Sequence, residues 1–343
     1  MSLQKLFPCR LYVLYRELAS RVPDFIGSRT SVRLFHAYAM RRSSVTIFLA
    51  PALITSVTAL AAQVAPTLRV GLVSSDNPLL TGAASIELGV RFGAAEAKQT
   101  ANLFGGDVLL FEAIGAPDPT RAAQKLLSER KVEILLGSSA QDADALSRFA
   151  DSHRLIFLNV ASRAPSLRAS CRRYTFHVEA SDSMYSIAAR TAGRQFAPTS
   201  NSVVLWAPTL ERYGASQIND RYRAWHRSPM DAGAWAGWVA VKIAAEAALR
   251  ARSSRAEAIL SYLESPAASF DGHKGWPLSF RLADHQLRQP LYVLSPSTAG
   301  ASRVAVRETP QVSAMAEGDG IPGANRALDI LMPSSPGCSW VRR

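Results

Sequence analysis

Cysteine is scarce in this chain of 343 residues: Cys9, Cys171 and Cys338 are the only three, and no two lie near each other. There is no Cys-x-x-Cys and no Cys/His cluster at ligand spacing, so no metal site is expected. The six histidines, His36, His153, His177, His226, His273 and His285, are scattered. Gly-x-Ser-x-Gly, His-Glu-x-x-His and Gly-x-x-x-x-Gly-Lys-Ser/Thr are also absent. These absences remove the usual serine-hydrolase, zinc-protease and nucleoside-triphosphatase readings. No catalytic residue and no cofactor is expected. The longest apolar run, Val45 to Leu60, is short for a membrane span and is broken by Pro51 and several Ser/Thr.

Basic charge is present but uneven. The net charge is +12, and residues 1–67 hold eight Lys/Arg against two Asp/Glu, which is half of the excess. The remainder is only mildly basic, and no Lys/Arg cluster with interleaved aromatics occurs. A nucleic-acid partner is therefore not expected. Hydrophobic residues make up 48% and charged residues 19%, as in a globular chain with a sizeable core. The length leaves room for two domains.

The leader reads as a targeting segment. Met40-Arg41-Arg42 precedes the apolar run, and Ala59-Leu60-Ala61-Ala62 follows it. A charged n-region, an h-region and small residues for cleavage, in that order, make a secretory signal over 40–62. A membrane helix is the alternative. Residues 1–39 carry no usable period, and the expectation is that translation starts at Met40 and that they are a non-native upstream extension. Export to the periplasm follows. In an oxidising compartment the even pair Cys171 and Cys338 suggests one disulfide, tying the tail to the body. Two unpaired thiols are the alternative.

From Leu68 the chain alternates. "LRVGLVSS" (68–75), "DVLLFEA" (107–113), "VEILLGSS" (132–139) and "LIFLNVAS" (155–162) are short apolar runs that predict buried strands. Helical spacing covers Ala83 to Ala97, 118–130 and 141–153, and Asp118-Pro119 is an N-cap followed by proline in the first turn. Four strands with helices between them predict βαβ units, a parallel sheet and helices on both faces. A short strand is expected at Ser202 to Trp206, and two long helices over 213–250.

Ligands in such sheets bind at the carboxyl ends of the strands. Those ends carry Ser74-Ser75-Asp76-Asn77, Gly137-Ser138-Ser139 and Asn159-Val160-Ala161-Ser162. They are small and hydroxyl-bearing. The Gly-Ser-Ser turn before a helix can offer N–H groups and hydroxyls to an anion. Ordinary turn and N-cap serines would look the same. The first strand leads to "SSDNPLLTG" rather than Gly-x-Gly-x-x-Gly, which removes a dinucleotide site.

Over Leu68 to about Leu294 the sequence resembles the exported solute-binding proteins of branched-chain amino acid type ABC importers. "NPLLTG", "LLGSS", "NVASRAPSLR", the helix pair "YGASQINDRYRAWHRSPMDAGAWAGWVAVKIAAEAALR" and "FDGHKGWPLSFRLADHQLRQPLYVL" are similar to that family's segments, and the order carries the likeness rather than any one motif. "LERYGASQINDRYRAWHRSPMDAGAWAGW", "HQLRQPLY" and the Cys-Ser-Trp end resemble the subgroup found with quinoprotein (PQQ-dependent) alcohol oxidation systems.

The resemblance implies an α/β class and a type I periplasmic-binding-protein fold of two lobes. Residues 68–180 and 207–265 would form the first lobe, 181–206 and 270–300 the crossing segments and a second-lobe remnant, and 301–343 a tail. Between the crossing at 172–195 and the return near Val203 the family has a whole set of strands and helices. Here only a few residues stand there, so the second lobe is expected to be truncated. The resemblance places ligand contacts at Ser74, Ser75, Ser138, Ser139, Ala161 and Ser162, on an open shelf. Arg163 stands where the family often has a small hydroxyl residue, which questions an amino acid preference. The function implied is a non-enzymatic solute-binding component, with a small-molecule ligand and an ABC permease in the inner membrane as partners, weak binding and some self-association. A non-transport partner or sensor of an alcohol oxidation system, or a degraded binder, are the alternatives.

Overall fold

The first strand, β1 (Thr67–Ser74), shows how the sheet is built. Val70 and Leu72 point into one apolar core, and Val73 into another. β3 (Ile134–Gly137) repeats this with Ile134 and Leu136 against Leu135, and β4 (Ile156–Asn159) with Ile156 and Leu158 against Phe157. Successive side chains of a strand face opposite ways, so strands apolar at every position need cover on both faces. In this computed structural model the described residues are 65–75, 82–192, 203–295, 305–309, 320–333, 337–338 and 340. The leader and start-site readings on residues 1–62 lie outside them.

With β2 (Asp107–Ile114) and β5 (Thr175–His177) the strands form a five-stranded sheet, order β2-β1-β3-β4-β5, parallel throughout. One face is covered by α1 (Ala83–Asn102), α7 (Ala232–Ala251) and α8 (Ala256–Leu263). The other is covered by α2 (Pro119–Lys125), its π-helical continuation Leu126–Arg130, and α3 (Ala143–His153). Asp118 caps α2, accepting from the Arg121 amide at 3.0 Å. The strands are shorter than the apolar runs. β3 ends at Gly137 and β4 at Asn159, where side-chain hydrogen bonds take over from the ladder. α1 extends five residues beyond Ala97, with Ala101 buried.

α1 and α7 cross at backbone contact. A Cβ on Gly89 would lie 2.0 Å from the Ala234 carbonyl oxygen, and one on Gly237 2.3 Å from that of Ile86. Only glycine permits this approach. It brings the first turns of both helices to the carboxyl edge of the sheet.

Beyond α4 (Pro165–Ala169) and α5 (Asp182–Ala192) the chain changes character. β6 (Val203–Val204) is shorter than the expected Ser202–Trp206 strand, and α6 (Ala215–His226) follows. β7 (Phe270–Asp271), β8 (Pro277–Phe280) and β9 (Leu287–Arg288) make one antiparallel sheet. β10 (Leu291–Ser295), β11 (Ala305–Thr309) and β6 make another. α9 (Gly320–Leu328) contributes buried Ala324 and Leu328. Cys171 and Cys338, 167 residues apart, are joined by a disulfide with a Cα–Cα distance of 5.4 Å. The Cys338 amide donates to the Ala283 carbonyl at 2.9 Å, and Trp340 stacks on His285 at 5.0 Å.

Candidate functional site

The carboxyl ends of β3, β4 and β5 and the first turns of α1 and α7 enclose a cavity of about 420 Å³. Two larger cavities exist. One of about 590 Å³ lies between the C-terminal halves of α1 and α7, and one of about 840 Å³ along the edge strand β2. The first lies away from the carboxyl ends of the strands, and the second reaches only that of the edge strand β2, at Ala113 and Ile114; the 420 Å³ cavity joins three of them, where a parallel sheet offers loop N–H groups, hydroxyls and helix N-termini to a solute.

Of the six residues expected to contact ligand, the cavity is lined by Ser138 and Ala161. Ser74, Ser75, Ser139 and Ser162 do not line it, and the hydroxyls do not form an open shelf. Ser74, Ser138, Ser139 and Ser162 are buried. Ser138 donates to Glu87 at 3.1 Å, and Ser74 also hydrogen-bonds that carboxylate. Ser75 gives its amide and hydroxyl to Asp142 at 2.8 and 2.6 Å. The Ser162 amide donates to Asn159 at 2.9 Å, and its carbonyl accepts from Asn159 and Arg168. The Ser139 hydroxyl is buried without a partner among the described residues. The reason is burial. Glu87 and Asp142 have left water, and carboxylates in such places need donors. Burial pushes the Glu87 carboxyl above its ordinary range, against the pull of Ser138 and Arg91.

The polar centre of the cavity is Glu179, two residues past β5. Its side chain is almost fully buried. Tyr185 of α5 donates its hydroxyl to Glu179 at 2.7 Å. Arg163 approaches the same oxygen at 3.4 Å, with its guanidinium carbon 4.1 Å from the centre of the Tyr185 ring. Burial raises the Glu179 carboxyl, while Arg163, the Tyr185 hydrogen bond, Arg168 and Lys274 pull it down. Tyr185 is held well above its usual range, first by burial and then by that carboxylate. Across the cavity Asp231 caps α7, accepting from the Ala234 amide at 2.9 Å, and also accepts from the Ser85 hydroxyl of α1.

Behind Glu179 a buried network ties the crossing segments to the sheet. Arg168 of α4 donates to the carbonyls of Ser162, Ala164 and Glu179 and to the Gln286 side chain, at 2.6–3.1 Å. Burial lowers its pKa to about 10. Gln286 returns bonds to the carbonyls of His177 and Glu179, and Gln289 reaches Val178. Lys274 is fully buried, 3.9 Å from the Trp235 ring centre, and donates to Gln289 and the Pro290 carbonyl. Burial holds Lys274 well below its ordinary value, and His177 likewise, as a neutral imidazole beside Asn159.

Glu179, Tyr185 and Asp231 are not among the residues expected from the sequence. Glu179 did carry a signal: a lone acid between Val178 and Ala180 directly after a strand. Among the described residues no Ser–His or Cys–His pair lines the cavity, and no three His, Cys, Asp or Glu gather to hold a metal. The arrangement can hold and orient a small charged or hydrogen-bonding solute.

No protein-family model and no curated protein matches the chain. Solved structures do. One is a branched-chain amino acid ABC transporter periplasmic ligand-binding protein from Burkholderia xenovorans, with TM-score 0.60 and 10% identity over 70% of this chain and 94% of that one. Another is a branched-chain amino acid transporter substrate-binding protein from Streptococcus pneumoniae in complex with isoleucine, with TM-score 0.54 and 13% identity over 71% and 99%. A third is an ABC transporter solute-binding protein from Rhodopseudomonas palustris in complex with 3,4-dihydroxybenzoic acid, with TM-score 0.56 and 10% identity over 71% and 96%. At these identities the likeness is one of fold: this chain has the α/β fold of type I periplasmic binding proteins.

Proposed function

We propose that this protein binds a small organic solute, amino-acid-like or a carboxylic acid, in the cavity at the strand ends, and hands it to an ABC permease in the inner membrane after export to the periplasm. The observation that carries this is the cavity itself. About 420 Å³ lies at the carboxyl edge of a parallel sheet, between two helix N-termini, with Glu179 and Arg163 aimed into it. The fold neighbours support it, since they are substrate-binding proteins of ABC transporters, two of them holding isoleucine and 3,4-dihydroxybenzoic acid.

The proposal includes a second lobe reduced to α5, the β6/β10/β11 sheet and α9. Residues 193–214, between α5 and α6, number far fewer than the roughly 100 a lobe requires. A solute held from one side keeps contact with water, and each neutral hydrogen bond then contributes only about 0.5–1.5 kcal/mol. Millimolar affinity is the expectation for this chain alone. Titration calorimetry with leucine, butyrate and benzoate tests it. A micromolar constant would show that a second element closes the site, and no heat with any small solute would remove the binding reading.

A non-transport role beside a periplasmic quinoprotein alcohol dehydrogenase is the second reading. The segment 210–238, which carries the subgroup resemblance, forms α6 and the start of α7 and leaves Trp225 and Tyr213 about half exposed. Co-purification with the dehydrogenase, without any solute-dependent rise in melting temperature, would favour it.

A further inference from the structure

We propose that Arg163 is the residue that selects the solute, taking its carboxylate on the free edge of the guanidinium; this rests on the solute-binding reading above. Arg163 stands four residues past the end of β4 and lines the cavity with Ser138, Ala161 and Glu179. Its side chain is 49% exposed. Among the described residues that side chain has two partners. One is the Tyr185 ring, 4.1 Å from the guanidinium carbon, and the other is Glu179, 3.4 Å from Nε. Neither partner occupies the terminal nitrogens Nη1 and Nη2. A planar fork with both terminal nitrogens open matches a carboxylate bidentately.

The fork is held before any ligand arrives. Tyr185 is buried and locked by its own bond to Glu179, so the ring is a fixed platform. A pre-set guanidinium loses less freedom on binding than a free one. Both acids of the lining, Glu179 and Asp231, are already engaged. Tyr185 holds the Glu179 carboxylate by a hydrogen bond of its own, so sharing Arg163 with a ligand does not leave that carboxylate unpartnered. α1 is twenty residues long, has no acid in its first turn and no side-chain cap, and its first turn lines the same cavity. Asp231, across the cavity, is engaged by the Ala234 amide and the Ser85 hydroxyl. The remaining wall is apolar, with Ala83, Ile86 and Val160. The solute class is therefore a small monocarboxylate with an apolar remainder. A cationic solute would have to take Glu179 from both Arg163 and Tyr185.

The test compares acids with their uncharged or cationic partners: butyrate with butyramide, benzoate with benzamide and leucine with leucinamide. Binding is read by calorimetry or ligand-observed NMR on the wild-type chain, Arg163→Gln and Arg163→Lys. The expected result is that each acid binds at least about tenfold more tightly than its amide. Arg163→Gln should remove that advantage, and Arg163→Lys should keep part of it. Arg163 is half exposed, so both variants should fold; if Arg163→Gln does not, the acid–amide comparison on the wild-type chain decides alone. Equal affinity of acid and amide, or acid binding unchanged in Arg163→Gln, overturns the proposal. Preference for leucinamide would move the ligand charge onto Glu179. Binding of 1-butanol but no acid would leave solute binding standing and Arg163 without this role. Binding of nothing would end both.

Discussion

Around β1, β3 and β4 the interior is mostly Val, Leu, Ile and Phe, whereas around β5 and the segment 285–290 Phe176, Val178 and Leu287 share it with buried Arg168, His177, Gln286, Gln289 and Lys274. The first region is held by area removed from water, which is non-directional and tolerant of local change. The second is held by hydrogen bonds that each need a particular partner. One partner lies near residue 160–180 and the other more than 100 residues later. Leaving one of them unpaired in a dry place costs more than losing an apolar contact. The candidate site sits on the seam, with Ser138 and Ala161 from the apolar half and Glu179 from the polar one.

The contrast can be broken first at Arg168. Arg168→Met keeps volume but takes one donor from each of the Ser162, Ala164 and Glu179 carbonyls and the Arg168 bond from the Gln286 side-chain oxygen. A loss of about 3–4 kcal/mol is expected in urea unfolding. A loss below about 1 kcal/mol would mean that water replaces the guanidinium easily and that the network is not what holds the crossing. In the apolar half a sharp point is Gly237, where an added methyl meets the Ile86 carbonyl and the Val90 amide. Gly237→Ala should lower stability by about 3 kcal/mol, by denaturant midpoint at unchanged slope. No effect would show that α1 and α7 can separate without cost.

The covalent tie of the tail comes next. Replacing Cys171 and Cys338 together with serine should cost about 2–3 kcal/mol, seen as a lower melting temperature that reductant no longer changes. If reductant leaves the wild-type melt unaltered, the bridge is absent or unimportant in solution. The smallest effect is expected at Glu87, which faces Ser138, Ser74, Arg91 and Glu112. Burial raises its pKa in the folded state. Its contribution is therefore fully present below the ordinary carboxylate range and is lost as pH rises through the raised value. Glu87→Gln should accordingly raise the melting temperature at pH 8 by about 2 °C and leave it unchanged near pH 4. A gain only at pH 4 would reverse the assignment.

Much of the apolar half was legible. The runs at 68–75, 132–139 and 155–162 marked three strands to within two or three residues, and Asp118-Pro119 marked the start of α2. Burial on both faces leaves a continuous apolar string, which needs no knowledge of partners to be seen. At the site the serines were visible as types, but their direction was not. Whether Ser138 faces solvent or Glu87 depends on where α1 lies, and that depends on Gly89 and Gly237 meeting the facing backbone. Glu179 was passed over because a single acid after a strand looks like a turn residue until Tyr185 and Arg163 close on it.

The order of strands and helices, the parallel class of the sheet and the small, hydroxyl-bearing strand ends were determined by the sequence itself, because propensity, periodicity and caps act between neighbours in the chain. Tertiary structure alone decided which hydroxyls turn inward, which carboxylate lies at the floor of the cavity and which arginine remains open to it. Those outcomes depend on burial, and burial is fixed only when α7, the segment 270–290 and the disulfide-bound tail return to cover the sheet and close around β5.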